Sequence, residues 1–548
     1  MQMKFHFTIG FLFIVFAAGA QKLKKADKAV IESLQNHIRF LADDKLEGRR
    51  AGSPGEELAT EYISKQFQLA GLQPKGEKNS WLQSFPINDG KEIKSTTSLS
   101  FNGSKLKLNS EYFPFVFSAN GSVEASPAIS LPEQGVPWFI DLKDMIEDNS
   151  GNPHFDLAQK ISEQVNIVAA KGATALILYN SSGKPDGLAF EPKNRTAAVK
   201  IPVVYLTPDA VKKYLSDASA SLDTKLTVDI GEKSRTGHNV VGFINNGAAN
   251  TVILGAHLDH LGHGEDGNSF LRNDFTQIHN GADDNASGIA ALIELAKMLK
   301  ASKLKSNNYL FIAFSGEELG LYGSKYFTEN PSVDLSKSDY MINMDMVGRL
   351  NDSSKVLTIG GVGTSPSWIP TISSVPNKYF VVKYDSSGTG PSDHTSFYRK
   401  DIPVLFFFTG SHRDYHRPTD DADKINYTGE YMIIKYIYSV IEKTNKAPKL
   451  VFAKTREPQT TPTRMNVTMG IMPDYTFAGT GVRVDGVSEN RPAQKAGLKV
   501  GDVIIQLGDH SVTSVENYMQ VLNNFKKGDT TKVKFKRGTE SLEATVQF

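Results

Sequence analysis

The chain of 548 residues contains no cysteine. This excludes disulfides, catalytic thiols, cysteine-ligated zinc and an N-terminal lipidated cysteine, so any metal must be held by His, Asp and Glu. An excess of one charge is also lacking. Lys and Arg number 61 against 60 Asp and Glu, which removes the electrostatic case for nucleic acid or an anionic membrane as main partner. Long apolar runs are scarce. The one in MQMKFHFTIGFLFIVFAAGAQK follows a basic Lys4, runs from Ile9 to Phe16 and precedes the small-x-small set Ala18-Gly19-Ala20. It has the form of a signal peptide over residues 1–20, and it is short for a membrane span. No second such run follows. The expectation is an exported protein, periplasmic or secreted, with no membrane segment after cleavage.

What is present reads as several domains, as the length requires. LEGRRAGSPGEELATEYISKQFQLAGLQP predicts a helix: Ser53 can N-cap, Pro54 suits the first turn, Glu56 can complete a capping box, and Gly71 with Pro74 ends it. Leu58, Tyr62 and Phe67 fall near one face of it. Residues 21–106 are read as the N-terminal part of the main domain. Residues 107–235 are read as an inserted, mainly β accessory unit. There VPWFIDL and IPVVYL surround a helical face of Leu157, Ile161, Val165 and Val168, which leads into the strand ATALILYN.

Over 236–445 the pattern alternates α and β. HNVVGFI, TVILGAH, NYLFIAF, YMINMDM, KVLTIG and IPVLFFF are near-continuous apolar runs, as strands buried on both faces are. IAALIELAKMLK carries Ile289, Leu292, Ile293, Ala296 and Leu299 at helical spacing. The predicted fold is α/β, a doubly wound and mainly parallel sheet. Residues 446–464 are rich in Lys, Thr and Pro and read as a linker. Residues 465–548 form a small unit with strands GTGVRVDGV, GDVIIQLG and TTKVKFKR and a helical VENYMQVLNNF.

Four of the apolar strands lead into groups that bind metal. They give His257 and Asp259, then Glu317 and Glu318, then Asp345, then His412 and His416, and Asp283 with Asp284 precede the amphipathic helix. In an open α/β sheet, ligands bind beyond the carboxyl ends of the strands, so these scattered residues can converge. Each alone has an ordinary reading as a structural histidine, a helix cap or a solvated loop. Together they suit zinc, and two zincs sharing a carboxylate suit a hydrolase. Asp283, Glu318 and Asp345 against two Zn²⁺ leave a charge of +1, which a bridging hydroxide cancels. Glu318 then reads as a ligand and its neighbour Glu317 as the general base. Asp259, two residues after His257 in an extended segment, can orient that imidazole.

GAHLDH, GADDNASG, SGEELGLYGS, INMDMVG, PSDHTSF and HRDYHRPTDD resemble, in order and spacing, the motif set of the co-catalytic di-zinc aminopeptidase family. That family includes leucyl-type aminopeptidases, glutaminyl cyclases and glutamate carboxypeptidase relatives. LEGRRAGSPG resembles its N-terminal segment. The resemblance implies His257, Asp283, Glu318, Asp345 and His416 as metal ligands, with Asp283 bridging, Glu317 as acid/base and Asp259 beside His257. It also implies a supporting or substrate-side place for Asp393 and His394 of the SDH motif, His416 over its rival His412, and a supporting or capping place for Asp284. The insert resembles a protease-associated domain. The C-terminal unit resembles a PDZ domain, on GVRVDGVSENRPAQKAGLKVGDVIIQLGDHSV, with Gly470-Ile471-Met472 as candidate carboxylate loop.

The expected function is removal of N-terminal residues from peptides through a hydroxide held by two Zn²⁺ per chain. Within the fold the rivals are glutaminyl cyclisation and carboxypeptidase action. In another class the rival is a non-catalytic binder of peptide or protein C-termini at the PDZ unit.

Overall fold

Successive side chains of a strand point to opposite faces, so a strand that is apolar throughout buries both faces of its sheet, as the central strands here do almost without interruption. The computed structural model describes residues 24–149, 157–192, 198–217, 219–271, 276–455, 467–473, 480–487, 491–513 and 515–548. The segment read as a signal peptide, and 456–464 of the segment read as a linker, lie outside the described residues.

Four parallel strands form the heart of a nine-stranded sheet, in the order Asn307–Phe314, Asn250–His257, Ser338–Met344 and Val404–Phe408. Antiparallel strands border it: Ile230–Ile244 on one side and Val356–Gly360 on the other. The period of two distributes side chains to two layers. Val252, Leu254, Tyr309 and Phe311 join the core under helices Lys25–Leu41, Gly288–Ala301 and Tyr427–Thr444. Ile253, Leu310 and Ile312 join the opposite core, with Phe327 and Phe397 from two shorter helices. All the parallel strands deliver their carboxyl ends to the same edge.

Local readings differ in places. Helix Pro54–Leu69 is capped by Ser53, whose Oγ accepts the Glu56 N–H at 3.4 Å. Glu56 does not turn back to complete a capping box. It is fully buried, accepts the His238 N–H at 2.9 Å and the hydroxyl of Ser315, and so ties the helix to two strands. A buried carboxylate needs such partners more than a solvated cap does. The helix buries Ala59, Ile63 and Phe67, while Leu58 is 43% exposed. Helix Tyr427–Thr444, rich in β-branched and aromatic residues, was not anticipated; Asn426 Oδ1 caps it by accepting the Gly429 N–H.

The accessory unit has two four-stranded sheets and helix Leu157–Ala170, which packs through Ile161, Val165 and Val168. It starts earlier than residue 107, because Ser98–Phe101 pairs antiparallel with Thr224–Val228 inside it. A ribbon of Leu82–Ile93 against Ile230–Ile244 joins it to the main sheet. The C-terminal unit has its own core of Val482, Val484, Ile504, Leu507, Val533 and Phe535 with Tyr518 and Leu522 of helix Val515–Leu522. Gly470 stands at φ +74° just before strand Ile471–Pro473. No helix among the described residues is long and apolar enough to cross a membrane.

Glu430 is fully buried in helix Tyr427–Thr444, and among the described residues neither carboxyl oxygen has a hydrogen-bond partner. Burial pushes this carboxyl well above its ordinary value. The folded protein therefore holds a proton there that the unfolded chain releases above pH 4.5, and stability falls as pH rises from that point. Glu430→Gln should raise Tm more at pH 8 than at pH 5, by about 2–4 °C for each kcal/mol relieved. Thermal melts across that range check it, and an equal shift at both pH values would contradict the buried-proton account.

Candidate metal centre

His257 closes its strand, 1% exposed. Its Nε2 stands 3.3 Å from Asp284 Oδ1 and 3.3 Å from Asp345 Oδ1. Across Asp284 lies a second set. His416 Nε2 is 3.4 Å from Asp284 Oδ2 and 3.1 Å from Glu318 Oε2. His260 Nδ1 is 2.8 Å from Glu318 Oε1 and 3.9 Å from Asp284 Oδ2. Asp284 thus turns one oxygen to each set. The ligand atoms of His257, Asp284 and Asp345 lie within 4.8 Å of one another, as do those of His260, Asp284 and Glu318. Donors about 2.0–2.1 Å from a tetrahedral ion stand about 3.3 Å apart, so the spacings fit such an ion in each set.

Asp283, expected at the shared position, does not face the two sets; its neighbour Asp284 does. Asp283 points below the site: Oδ1 accepts the N–H of Gly348 at 2.7 Å and the Ser287 hydroxyl at 3.1 Å, and Oδ2 faces His412 Nε2 at 3.1 Å. His412 is thereby used by Asp283, and His416 alone of the two meets the cluster. The turn sets which acid faces inward. Asp420 Oδ2 accepts the N–H groups of both Asp283 and Asp284, at 2.9 and 3.0 Å. Gly281, at φ +56°, begins the turn, and a Cβ on it would sit 2.5 Å from the His260 ring. Nothing in two adjacent aspartates reveals this divergence. His260 was missed, although GAHLDH contains it. It lies past the strand end, where alternation no longer says which way a side chain points.

Asp259 acts on the glutamate turn. Its Oδ1 accepts the Glu317 N–H at 3.1 Å and its Oδ2 the Glu318 N–H at 3.4 Å. The His257 Nδ1 lies closer to the Asp259 backbone oxygen, 3.1 Å, than to its carboxylate, 3.7 Å. Asp345 Oδ2 accepts the Ser392 hydroxyl at 2.7 Å. The next residue, Asp393, is fully buried, and burial pushes its carboxyl up to about 7. His394 stacks on Phe406 at 4.5 Å, and burial pulls it down to about 3. His416 is aimed by Asn268, whose backbone oxygen lies 2.9 Å from Nδ1. It holds a left-handed φ of +52°, a conformation that costs a non-glycine residue about 1–2 kcal/mol.

The acids differ in electrostatic setting. Burial alone would raise Asp284, but the imidazoles of His260, His257 and His416 outweigh it and hold it well below the carboxylate range. Burial would likewise raise Glu318, and His416 brings it to about 2. Glu317 has no such compensation. Burial, with Glu318, Asp345 and Asp393 nearby, pushes it well up despite His257. A dication among these groups favours their charged carboxylates.

Beneath the cluster lies Arg49, 1% exposed. It donates to four backbone oxygens: Leu41, Leu258 at 2.8 Å, Asn280 at 2.7 Å and Gly281 at 3.0 Å. Burial draws it down to about 10, opposed by the field of Asp259, Asp284, Asp420 and Glu318. Beside the cluster, Met346, Phe406, Phe408 and Tyr415 form an apolar wall. The ring of Phe270 stands 5.8 Å from that of Tyr415.

Residues 239–441 match the model of peptidase family M28, and residues 455–548 match the PDZ domain model. Over 307 residues the chain is 26% identical to Aminopeptidase YwaD of Bacillus subtilis (strain 168), covering 53% of this chain and 62% of that protein. Over 197 residues it is 30% identical to Leupeptin-inactivating enzyme 1 of Streptomyces exfoliatus, covering 34% and 39%. The chain thus spans less than two thirds of either relative. A solved zinc aminopeptidase from Bacillus subtilis is 20% identical, covers 77% of this chain and 98% of its own, and superposes at a TM-score of 0.43, too loosely to carry an argument.

Proposed function

Because residues 239–441 match peptidase family M28 and residues 455–548 match the PDZ domain, we propose that the protein is an exported zinc aminopeptidase working with two zinc ions. The observation that carries this is the pair of imidazole–carboxylate sets sharing Asp284, with Glu317 beside them and outside both. His257, Asp284 and Asp345 would hold one ion, and Asp284, Glu318 and His416 the other. Bound there, the ions supply the charge that activates water and polarises a peptide carbonyl.

The remaining work falls to side chains. Glu317 takes a proton from the attacking water on its carboxylate and returns it to the leaving amine. Asp259 fixes the turn that carries it, through the two N–H bonds. Ser392 fixes the rotation of Asp345. The wall of Met346, Phe406, Phe408 and Tyr415 takes the side chain of the residue to be released. The PDZ domain takes peptide substrates or protein C-termini by strand addition.

The test is turnover of Leu-, Ala-, Lys- and Glu-linked aminoacyl reporters and a Gln-initiated peptide. An unpaired charge against an apolar wall is costly. Leu should therefore exceed Glu at least about tenfold, a difference of about 1.4 kcal/mol. Chelation should abolish turnover and zinc should restore it. Pyroglutamate formation without hydrolysis would move the protein to the cyclase reading, and silence with no bound metal would leave only the peptide-binding one.

A further inference from the structure

The two sets of donors are unequal. The first offers three side chains, His257, Asp284 and Asp345. The second offers four, because His260 joins Asp284, Glu318 and His416. We propose that His260 is a ligand in its own right, that it closes the second zinc site with two imidazoles and two carboxylates, and that this site fills first. The inference rests on the two-zinc reading above and goes beyond it in giving the sites different affinities and tasks.

Several observations point this way. The His260 side chain is fully buried, so its direction is fixed by the fold. The ring lies over Gly281 so closely that a methyl there would be 2.5 Å from Cδ2, so the inward placement of the imidazole depends on glycine at that position. Its Nε2 is buried without a partner among the described residues. The ring is therefore held through Nδ1, the atom that faces Glu318 and Asp284. The rings of His260 and His416 stand edge to face, 5.8 Å apart at 73°. Their nitrogens reach the two oxygens of one carboxylate, Glu318 Oε1 and Oε2 respectively.

Four protein donors complete a tetrahedral shell, as in sites that hold zinc structurally, whereas three leave it one short, as in sites that work on a substrate. The first set would be the working site. The second would be a fixed charge that also secures Asp284, the shared donor.

Competition between the full-length protein and a chromophoric zinc chelator tests this, together with visible spectra of protein loaded with one equivalent of Co²⁺. Wild type should release zinc in two steps at least about 100-fold apart in affinity, and the first Co²⁺ should give the intense bands of a four-coordinate ion. His260→Ala should weaken the tight step at least 100-fold and shift those bands, because water then takes the place of an imidazole, and His260→Asn guards against misfolding of the alanine variant. Unchanged bands in both variants would overturn the proposal even if affinity fell 10–100-fold, since that much follows from losing an orienting hydrogen bond. A single zinc step in wild type would overturn it too. Wild type that binds no zinc at all would instead overturn the two-zinc reading on which it stands.

Discussion

Glu317→Gln will keep its metal content and its Tm and lose amide hydrolysis by about 10²–10⁴-fold, the usual weight of a positioned acid/base. The substitution is close to isosteric and removes only the capacity to take a proton. The backbone N–H of residue 317 still donates to Asp259, so the turn carrying Glu318 keeps its shape. kcat should carry the loss, with little change in KM. The pH profile adds an independent mark. Burial pushes the Glu317 carboxyl up from an ordinary 4.5, and a base works only when deprotonated. In wild type, kcat/KM should therefore fall as pH drops through the value this carboxyl takes beside the bound ions, an acid limb that the variant lacks. Loss of zinc in Glu317→Gln would mean that residue 317 is a ligand and would undo its assignment as base.

The adjacent aspartates should separate cleanly. Asp284→Ala removes a donor from both sets at once, so neither ion should survive gel filtration and activity should vanish. Asp283→Ala should keep both ions. It leaves His412, the Gly348 N–H and the Ser287 hydroxyl without their shared acceptor, which should cost about 3 kcal/mol or more, the scale of breaking a buried pair. Metal analysis and denaturant melts on the two variants decide it. The reverse pattern, with zinc lost in Asp283→Ala and kept in Asp284→Ala, would restore the bridging role first given to Asp283.

That exchange marks how far the residues alone could lead. The buried strands were legible because a strand covered on both faces must be apolar throughout, and the polar residues at their ends then stood out as a set. His257, Glu318, Asp345 and His416 lie at such positions, and the structure draws them together. Asp283 and Asp284 lie on a turn whose direction comes from Asp420, more than a hundred residues away. His260 follows a strand, where alternation has ended. Helix Tyr427–Thr444 was hidden by isoleucine and tyrosine, residues that favour strands in isolation and are overruled here by packing on the sheet. The true start of the accessory unit depends on a pairing between Ser98–Phe101 and Thr224–Val228, a contact no local pattern announces.

Arg49 bears on how such an acidic centre can exist before it is equipped. Among the described residues, every hydrogen bond the guanidinium makes goes to a neutral backbone oxygen. Its charge is thus spent on no single acid and is felt by Asp259, Asp284, Glu318 and Asp420 together. It acts as a resident counter-ion, attached by covalent bonds and beyond the reach of any chelator. A newly made chain folding where zinc is scarce would still have positive charge under its cluster of acids, and could wait, assembled, for the ions to arrive.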